Sequence, residues 1–233
     1  MFKLWQRGRE LASIDTEPLL ACWDSKTNPA QIRLQAYLDD VECRLRPGLD
    51  NEDTYFLLVE VGLPDRLGLL RHHDLENYLT PVAHRFRDLR IPLACATKQI
   101  GGRSRVAVGV AQPLGEPPPL GEWEHAAVRC SGSPQTKQWK HDLRAALLRR
   151  RVPTAQPGPL EMHTAWRCGS IRSWINLWKP TGDAFGPILG EPLASQPFNP
   201  SDDRIVALDL HLEQDDSLGY EVHVGVWWRG TPA

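Results

Sequence analysis

The spacing of apolar residues in the first half of the chain predicts helices that alternate with strands. Apolar residues recur every three or four positions over 31–45, which predicts an amphipathic helix ending before an Arg-Pro-Gly turn. The segment 54–62 is aromatic, β-branched and almost continuously apolar, as expected for a buried strand. A second helix is predicted over 74–90, with Asp74 as its N-cap, and a second strand over 104–111.

The second half of the chain repeats this order. Helical spacing over 137–151 is followed by a strand-like segment over 160–166 and by another helix over 173–189. Two further strands are predicted over 204–213 and 220–228, and the turn residues between them indicate a β-hairpin. The order helix, strand, helix, strand therefore occurs twice.

A proline- and glycine-rich stretch over 112–121 separates the two halves and is predicted to be a linker, because proline disfavours helix and strand interiors. It divides the chain into an N-terminal domain over 1–111 and a C-terminal domain over 122–233. Identities at a nearly constant offset support a tandem repeat. At offset 99 they are Asn77 and Asn176, Pro81 and Pro180, Phe86 and Phe185, and Arg105 and Arg204, and at offset 100 the triplet 92–94 matches 192–194.

The composition is that of a soluble globular protein, with 41% hydrophobic and 24% charged residues. No apolar run approaches the roughly 20 residues that span a bilayer, and the first residues do not resemble a signal peptide. We therefore expect a cytoplasmic protein without a membrane partner. The five cysteines show no C-x-x-C spacing, which argues against a disulfide framework or a cysteine zinc site and favours buried thiols.

The net charge is −2, but positive charge is concentrated in one segment. Between 129 and 179, ten lysines and arginines stand against two acids, which favours an anionic partner such as structured DNA. The alternative is a solvated surface whose counter-charges come from elsewhere in the fold. The residues predicted to contact DNA are Lys137, Lys140, Arg144, Arg149, Arg150, Arg151 and Arg172.

Two segments at matching places in the repeat carry a motif. Residues 74–80 read Asp-Leu-Glu-Asn-Tyr-Leu-Thr, and residues 173–179 read Ser-Trp-Ile-Asn-Leu-Trp-Lys. The second segment is followed by Asp-Ala-Phe at 183–185 and by an Asp-Asp pair at 202–203, directly before a predicted strand. Each half thus resembles the RusA family of Holliday-junction endonucleases, in which a D-x-D-N-x-x-K segment opens a helix and a D-D pair precedes a strand.

Each half departs from that pattern in its own way. The first half lacks the lysine, and it has Arg-Ser at 103–104 where the acid pair is expected. The second half keeps the lysine and the acid pair but lacks both helix-opening acids. The family's carboxylates are therefore divided between the halves.

The resemblance implies an α+β fold of two related units in tandem, each a small mixed sheet with packed helices, paired within one chain like a RusA homodimer. It also implies binding of branched DNA and Mg²⁺-dependent phosphodiester hydrolysis, for which acids must converge on the cation. The implied catalytic residues are Asp74, Glu76, Lys179, Asp202 and Asp203, of which Asp202 and Asp203 are the metal ligands.

Three interpretations of the divided motif stay open. The acids of the two halves form one composite site, or each half is a degenerate relative that binds DNA without cutting, or the resemblance is accidental. The family arrangement, in which each subunit supplies its own carboxylates, favours the degenerate form. The competing function class is a non-catalytic interaction scaffold, in which Asp74 is only a cap, the acid pair only a turn and Lys179 a surface cation.

Other candidate groups carry weaker signals. His72 and His73 have metal-ligand chemistry, but adjacent residues point apart on regular structure, so a zinc site is not expected. The polar positions of the predicted hairpin are expected to form a solvated sheet face, and they are Asp209, His211, Glu213, Glu221 and His223. The tryptophans of the second half are expected to pack between the halves rather than to stack on bases, and they are Trp139, Trp166, Trp174, Trp178, Trp227 and Trp228.

Overall fold

The structure is a computed structural model that describes residues 2–21, 25, 27–50, 53–70, 73–116, 118, 122–192 and 196–231. Its strands are β1 (Trp5–Asp15), β2 (Tyr55–Leu63), β3 (Leu93–Ile100), β4 (Arg105–Pro113), β5 (Glu124–Cys130), β6 (Leu160–Cys168), β7 (Ile205–Gln214) and β8 (Val222–Gly230). Its helices are α1 (Pro29–Leu45), α2 (Leu75–Arg85), α3 (Lys137–Arg149), α4 (Ile175–Gly182) and the single-turn α5 (Gly186–Leu189).

The eight strands form one continuous mixed sheet in the order β1-β4-β2-β3-β7-β6-β8-β5. The first four strands occupy one half of this sheet and the last four occupy the other half. Antiparallel pairing of β3 with β7 joins the halves, with Cys95 opposite Asp209 at the middle of the register. The protein is therefore a mixed α/β protein built on a single sheet, rather than on the two separate small sheets that we expected.

One hydrophobic core runs through both halves on a single face of the sheet. The apolar sides of the four longer helices contribute to it together with alternate residues of the strands, such as Leu57 and Val59 of β2 and Leu208 and Leu210 of β7. The helix boundaries follow local chemistry. Asn28, for example, caps α1 by accepting the Ala30 N–H at 2.8 Å.

The opposite face of the sheet carries two smaller apolar clusters. Trp5 covers Phe56 and neighbouring residues of the first half, while Leu4 and Trp123 cover Trp227 in the second half. Most of the second-half tryptophans are buried and Trp174 is half-buried, while their packing between the halves stays a prediction. Those with less than a tenth of their surface exposed are Trp139, Trp166, Trp178, Trp227 and Trp228.

Three strands and one pairing differ from the sequence prediction. Strands β1, β3 and β5 were not predicted, so each half has the order strand, helix, strand, helix, strand, strand. The predicted hairpin of β7 and β8 is wrong, because β6 lies between them and pairs with both. The turn residues predicted after β7 are present, but a turn between two strands does not decide whether those strands pair with each other in the sheet.

The extra strands also correct the predicted repeat register. Arg105 begins β4, which is antiparallel to β2, whereas Arg204 precedes β7, which is parallel to β6. This pair of arginines therefore does not lie in corresponding elements, and Arg103-Ser104 is not the counterpart of the acid pair.

The predicted linker begins later than expected, because Gln112 and Pro113 belong to β4. Most of 117–121 lies outside the described residues. The same is true of residues 193–194, which belong to the predicted triplet match.

Two other expectations concern cysteines and membranes. Within the described residues Cys95, Cys130 and Cys168 are buried free thiols, as predicted, whereas Cys43 is exposed. Cys22 lies outside the described residues. None of the helices in the described part of the chain has the length and apolar character needed to cross a membrane.

Candidate functional site

Elements from both halves of the chain meet where α2 packs against α4 and β7. Helix α2 begins at Leu75, directly after its N-cap Asp74. Helix α4 ends at Gly182, where a 3₁₀ turn begins with Asp183. A second 3₁₀ turn places Asp202 three residues before the first residue of β7. The start of a first-half helix thus faces two turns of the second half.

Three carboxylates converge at this place. Carboxylate oxygens of Glu76, Asp183 and Asp202 all lie within 4.8 Å of one another. Glu76 and Asp183 are 8% and 7% exposed, so the cluster is held largely away from solvent. We call these three residues, together with Lys179, the acidic site.

Lys179 lies among the three carboxylates. Its Nζ is 2.9 Å from Glu76 Oε1, 3.0 Å from Asp183 Oδ1 and 3.5 Å from Asp202 Oδ2. Lys140, from α3, pairs with the second oxygen of Asp183. The site therefore combines three acids with two lysines, and the Lys179 side chain remains 45% exposed.

Lys98 fixes the backbone on which the acidic site is built. This residue of β3 is 4% exposed, and its Nζ donates to the carbonyl oxygen of His73 at 2.8 Å and to that of Asp203. One buried ammonium thus joins the segment before α2 to the turn before β7. Burial lowers the pKa of Lys98 to about 8, against the opposing effect of nearby Asp203, Asp74 and Asp202.

Burial and mutual repulsion change how the acids ionise. Burial, together with the charges of Asp202 and Asp183, raises the pKa of Glu76 to about 7, although Lys179 opposes the shift. Burial and the charge of Asp74 raise the pKa of Asp202 to about 6. For Lys179, burial lowers the pKa, but the surrounding carboxylates outweigh it and raise the pKa above its usual value.

A glycine and a small cavity leave room at the acidic site. A Cβ on Gly182 would lie 2.9 Å from Glu76 Oε2, so the glycine allows the carboxylate to approach the end of α4. A cavity of about 30 Å³ lies beside Glu76 and Asp202 and reaches towards Thr181 and Trp166. This volume holds one or two water molecules.

The predicted catalytic residues are brought together only in part. Glu76, Lys179 and Asp202 are in the acidic site, although they come from different halves. Asp74 lies near enough to raise the pKa of Asp202, but its Oδ2 accepts the Asn77 side-chain amide at 3.1 Å and makes no cap bond to the backbone. Asp203 lies outside the carboxylate cluster and contributes its backbone carbonyl to Lys98.

The predicted metal pair is corrected accordingly. Asp202 is joined by Asp183 and Glu76, not by its sequence neighbour Asp203, because a tight turn directs adjacent side chains apart. Two residues were not assigned to the site from sequence: Asp183, which was noted only as part of the motif, and Lys98. Asp183 is four positions after Lys179 on a predicted helix, which is a signal for contact. Lys98 interrupts an apolar strand, but that strand was itself missed.

The residues predicted to contact DNA fall into two groups. Lys140 pairs with Asp183, and Arg144 makes two hydrogen bonds to Glu191 at 2.9 and 3.0 Å. Arg172 donates to backbone carbonyl oxygens. Lys140 and Arg144 are therefore neutralised within the fold, as the alternative interpretation expected, and Arg172 is held in place without a counter-charge. The others are exposed and make no ion pair with any described residue, and they are Lys137, Arg149, Arg150 and Arg151.

A second polar cluster lies on the opposite face of the sheet. His163, Asp209 and His211 offer ligand atoms within 4.8 Å of one another. The Trp5 N–H donates to His211 Nδ1 at 3.2 Å, so the proton of the neutral ring is on Nε2, which is 3.1 Å from His163 Nδ1. Burial lowers the pKa of both histidines. The pair is therefore a hydrogen-bonded structural unit rather than a metal site.

This cluster also corrects the expected solvated sheet face. His211 is fully buried beneath the N-terminal segment, while the remaining polar positions of β7 and β8 are partly exposed. Of the two adjacent histidines at which no zinc site was expected, His72 lies outside the described residues. His73 Nδ1 is 2.7 Å from the Tyr78 hydroxyl.

The acidic site has the chemistry of a site for a hard divalent cation. Buried carboxylates that repel one another favour a cation among them, and a water-sized cavity adjoins them. In comparisons with known proteins, no family model and no curated protein matches the chain.

Proposed function

We propose that the protein binds branched or otherwise structured DNA and hydrolyses a phosphodiester with Mg²⁺ held at one composite acidic site. It would be a single-chain counterpart of a RusA homodimer. The observation that carries the proposal is the convergence of Glu76 from the first half with Asp183 and Asp202 from the second.

The strand plan supports the pseudo-dimer. From one edge of the sheet to its centre the strand order is β1-β4-β2-β3, and from the other edge to the centre it is β5-β8-β6-β7. Corresponding pairs agree in direction, because β2–β3 and β6–β7 are parallel and the flanking pairs are antiparallel. The antiparallel β3–β7 contact is then the junction of two equivalent units.

Helices α2 and α4 support the same correspondence. Asn77 and Asn176, which are 99 positions apart, lie in the first turn of each helix. Pro81 and Pro180 follow four residues later inside each helix, an uncommon position for proline. Shared residues at matching helix positions favour descent of both halves from one unit.

The residues of the acidic site fit a magnesium ion. Mg²⁺ prefers oxygen ligands, and carboxylates are its usual ligands from protein side chains. The three carboxylates lie within 4.8 Å of one another and would hold the ion in place of the Lys179 ammonium. When bound, the ion would neutralise charge on the phosphate and lower the pKa of a water ligand.

The chain's own residues would then bind and orient the phosphodiester. Glu76, Asp183 and Asp202 would hold the cation, and Lys179, whose side chain is partly exposed, would exchange its carboxylate partners for the phosphate oxygens. In the hydrolysis, water would form a new bond to phosphorus and give up a proton, one ester P–O bond would break, and the leaving oxygen would take up a proton.

Helix α3 offers a path for the DNA backbone away from the acidic site. Lys140 lies at the site, and Arg149 follows nine residues later, about 13 Å along the helix axis and on the opposite side of the helix. Arg150 and Arg151 extend the exposed positive charge beyond the end of the helix. These arginines would contact the DNA backbone beyond the end of α3, at a distance from the acidic site.

One observation favours the competing scaffold function. Lys179 already supplies a cation to all three carboxylates, and such a cluster can serve as a structural ion-pair network between the halves. Under this alternative the acidic site binds no divalent ion and the protein does not cut DNA.

The test is a labelled four-way junction incubated with Mn²⁺ or Mg²⁺. We expect cleavage by the wild type and a loss of at least about 100-fold in Glu76→Gln and in Asp202→Asn, because removing one ligand charge weakens the cation site. Junction binding should remain, since removing an acid lessens repulsion of phosphate. The matched control is Asp65→Asn, an exposed loop acid outside the site.

Absence of cleavage in the wild type across both metals would contradict the proposed hydrolysis. Cleavage that persists in Glu76→Gln would contradict the composite site, since that residue is the first half's contribution.

A further inference from the structure

A basic cleft of about 870 Å³ lies between the C-terminal end of α2 and the segment that leads into α4. The end of β7 closes it on a third side. The acidic site lies between the opposite ends of the same two helices, at the start of α2 and the end of α4. If one half is placed on the other so that α2 takes the position of α4, the acidic site takes the position of the basic cleft.

The helix-opening positions of the basic cleft have no acids. Ser173 stands 99 positions after Asp74, and Ile175 stands 99 positions after Glu76. Both Ser173 and Ile175 line the cleft. Where the acidic site has a buried carboxylate, the cleft thus has a buried isoleucine.

Two further counterparts also disfavour a bound cation. Arg90 is the third residue before β3, as Asp202 is before β7. Ala83 corresponds at offset 99 to Gly182, so the space that admits Glu76 in one site is filled by a methyl group in the other. The cleft has lost the features that hold a cation and has gained an arginine.

Positive charge predominates in the basic cleft. The two carboxylates of the cleft lining each pair with an arginine that is not part of the lining. Asp88 accepts hydrogen bonds of 2.7 and 2.8 Å from Arg46, and Glu213 Oε1 lies 3.5 Å from Arg167 Nε. The charged residues of the lining are Lys3, Arg87, Arg90, Arg172, Asp88 and Glu213.

Two cations of the basic cleft are available to a ligand. Arg87 and Arg90 are exposed, and neither makes an ion pair with any residue in the part of the chain that the structure describes. Arg172 is held by the carbonyl oxygens of Ser131 and Tyr220 and positions the wall of the cleft.

Aromatic rings line the same cleft. Trp174 is half-buried and packs edge-on against Trp178, with ring centroids 4.8 Å apart. Trp5 carries the Lys3 ammonium 4.3 Å above its ring. Unpaired guanidinium groups beside indole rings are the combination that binds single-stranded nucleic acid, since bases stack while phosphates pair.

We infer that the basic cleft holds a second DNA strand without cutting it, with phosphates on Arg87 and Arg90 and a base against Trp174. This inference rests on the proposed function and deepens it. Because one of the two equivalent sites binds without acids, the protein makes one incision per bound junction rather than a symmetric pair.

The experiment compares Arg87→Glu/Arg90→Glu with the wild type, in EDTA so that no cleavage occurs. The control Arg33→Glu/Arg66→Glu makes the same charge change at exposed positions outside the cleft. Fluorescence anisotropy measures affinity for a four-way junction at several salt concentrations. We expect affinity to fall at least about tenfold in the cleft variant, with a salt slope smaller by about two, because two phosphate contacts are lost. Affinity equal to that of the control would overturn the inference.

A second probe separates failure of this inference from failure of the proposed function. A short oligothymidylate should quench tryptophan fluorescence in the wild type and not in the cleft variant. If the wild type binds no junction but the oligothymidylate is bound through the arginines, the proposed function fails and the cleft assignment stands. If neither probe binds the wild type, both are overturned.

Discussion

At the scale of single residues, the acidic site depends on which carboxylates the turns after α4 and before β7 direct towards Glu76. Glu76, Lys179 and Asp202 were singled out by the motif, and the structure places all three in one cluster. Asp203 was expected beside them and Asp183 was not. Residue type alone does not show which carboxylate a short turn directs inward, because that depends on how the turn packs against α2.

Protonation of Glu76 should make the stability of the protein depend on pH. Its folded-state pKa of about 7 is above the usual value of 4.5. The stabilising contribution of its proton is therefore fully present below about pH 4.5 and is lost as the pH rises through 7. Unfolding free energy from urea titrations should fall between pH 5 and 8, and the fall should be smaller by roughly 2 kcal/mol in Glu76→Gln.

The control for this pH dependence is Glu124→Gln, because Glu124 is an exposed residue of β5. It should follow the wild-type pH profile. A Glu76→Gln profile parallel to that of the wild type would show that Glu76 is not protonated in a buried cluster.

At the scale of elements, the sequence predicted the four longer helices and strands β2, β4, β6, β7 and β8. Strand β1 was missed because Trp5–Asp15 is largely polar and exposed, and because bulges interrupt its pairing with β4. Strand β3 was missed because its short apolar run directly follows a helix. The pairing of β7 was predicted wrongly because its neighbours, β3 and β6, are distant in sequence.

The end of α3 should be a DNA-binding surface. Arg149, Arg150 and Arg151 are exposed, and none makes an ion pair with another described residue. Changing all three to glutamate should lower junction affinity about tenfold or more and flatten its dependence on salt, because phosphate contacts release counterions. Gel-shift titrations at 50 to 200 mM salt measure both effects.

The control for α3 is the Arg33→Glu/Arg66→Glu variant, whose substitutions lie outside both the helix and the cleft. Unchanged affinity in the triple reversal would exclude the end of α3 from the DNA path.

At the scale of the whole molecule, the two halves are predicted to unfold together. They share one hydrophobic core and one sheet, which is joined through Leu93–Thr97 of β3 and Ala207–His211 of β7. Separation would expose two strand edges and part of the core. Calorimetry should show a single transition, and residues 1–111 and 122–233 made separately should be insoluble or should associate.

Two well-separated transitions, with each half stable and monomeric alone, would contradict a shared core. The proline-rich connection permits either outcome, so the measurement reports on the β3–β7 junction itself.

The central claim, that acids from both halves form one cation site, is tested most directly by Mn²⁺ binding, measured by electron paramagnetic resonance at pH 8. The account predicts one ion per chain, with affinity reduced about tenfold or more by Glu76→Gln and equally by Asp202→Asn, while Asp203→Asn and Asp65→Asn have little effect. Mn²⁺ binding that is absent from the wild type, or that survives Glu76→Gln unchanged, would contradict it.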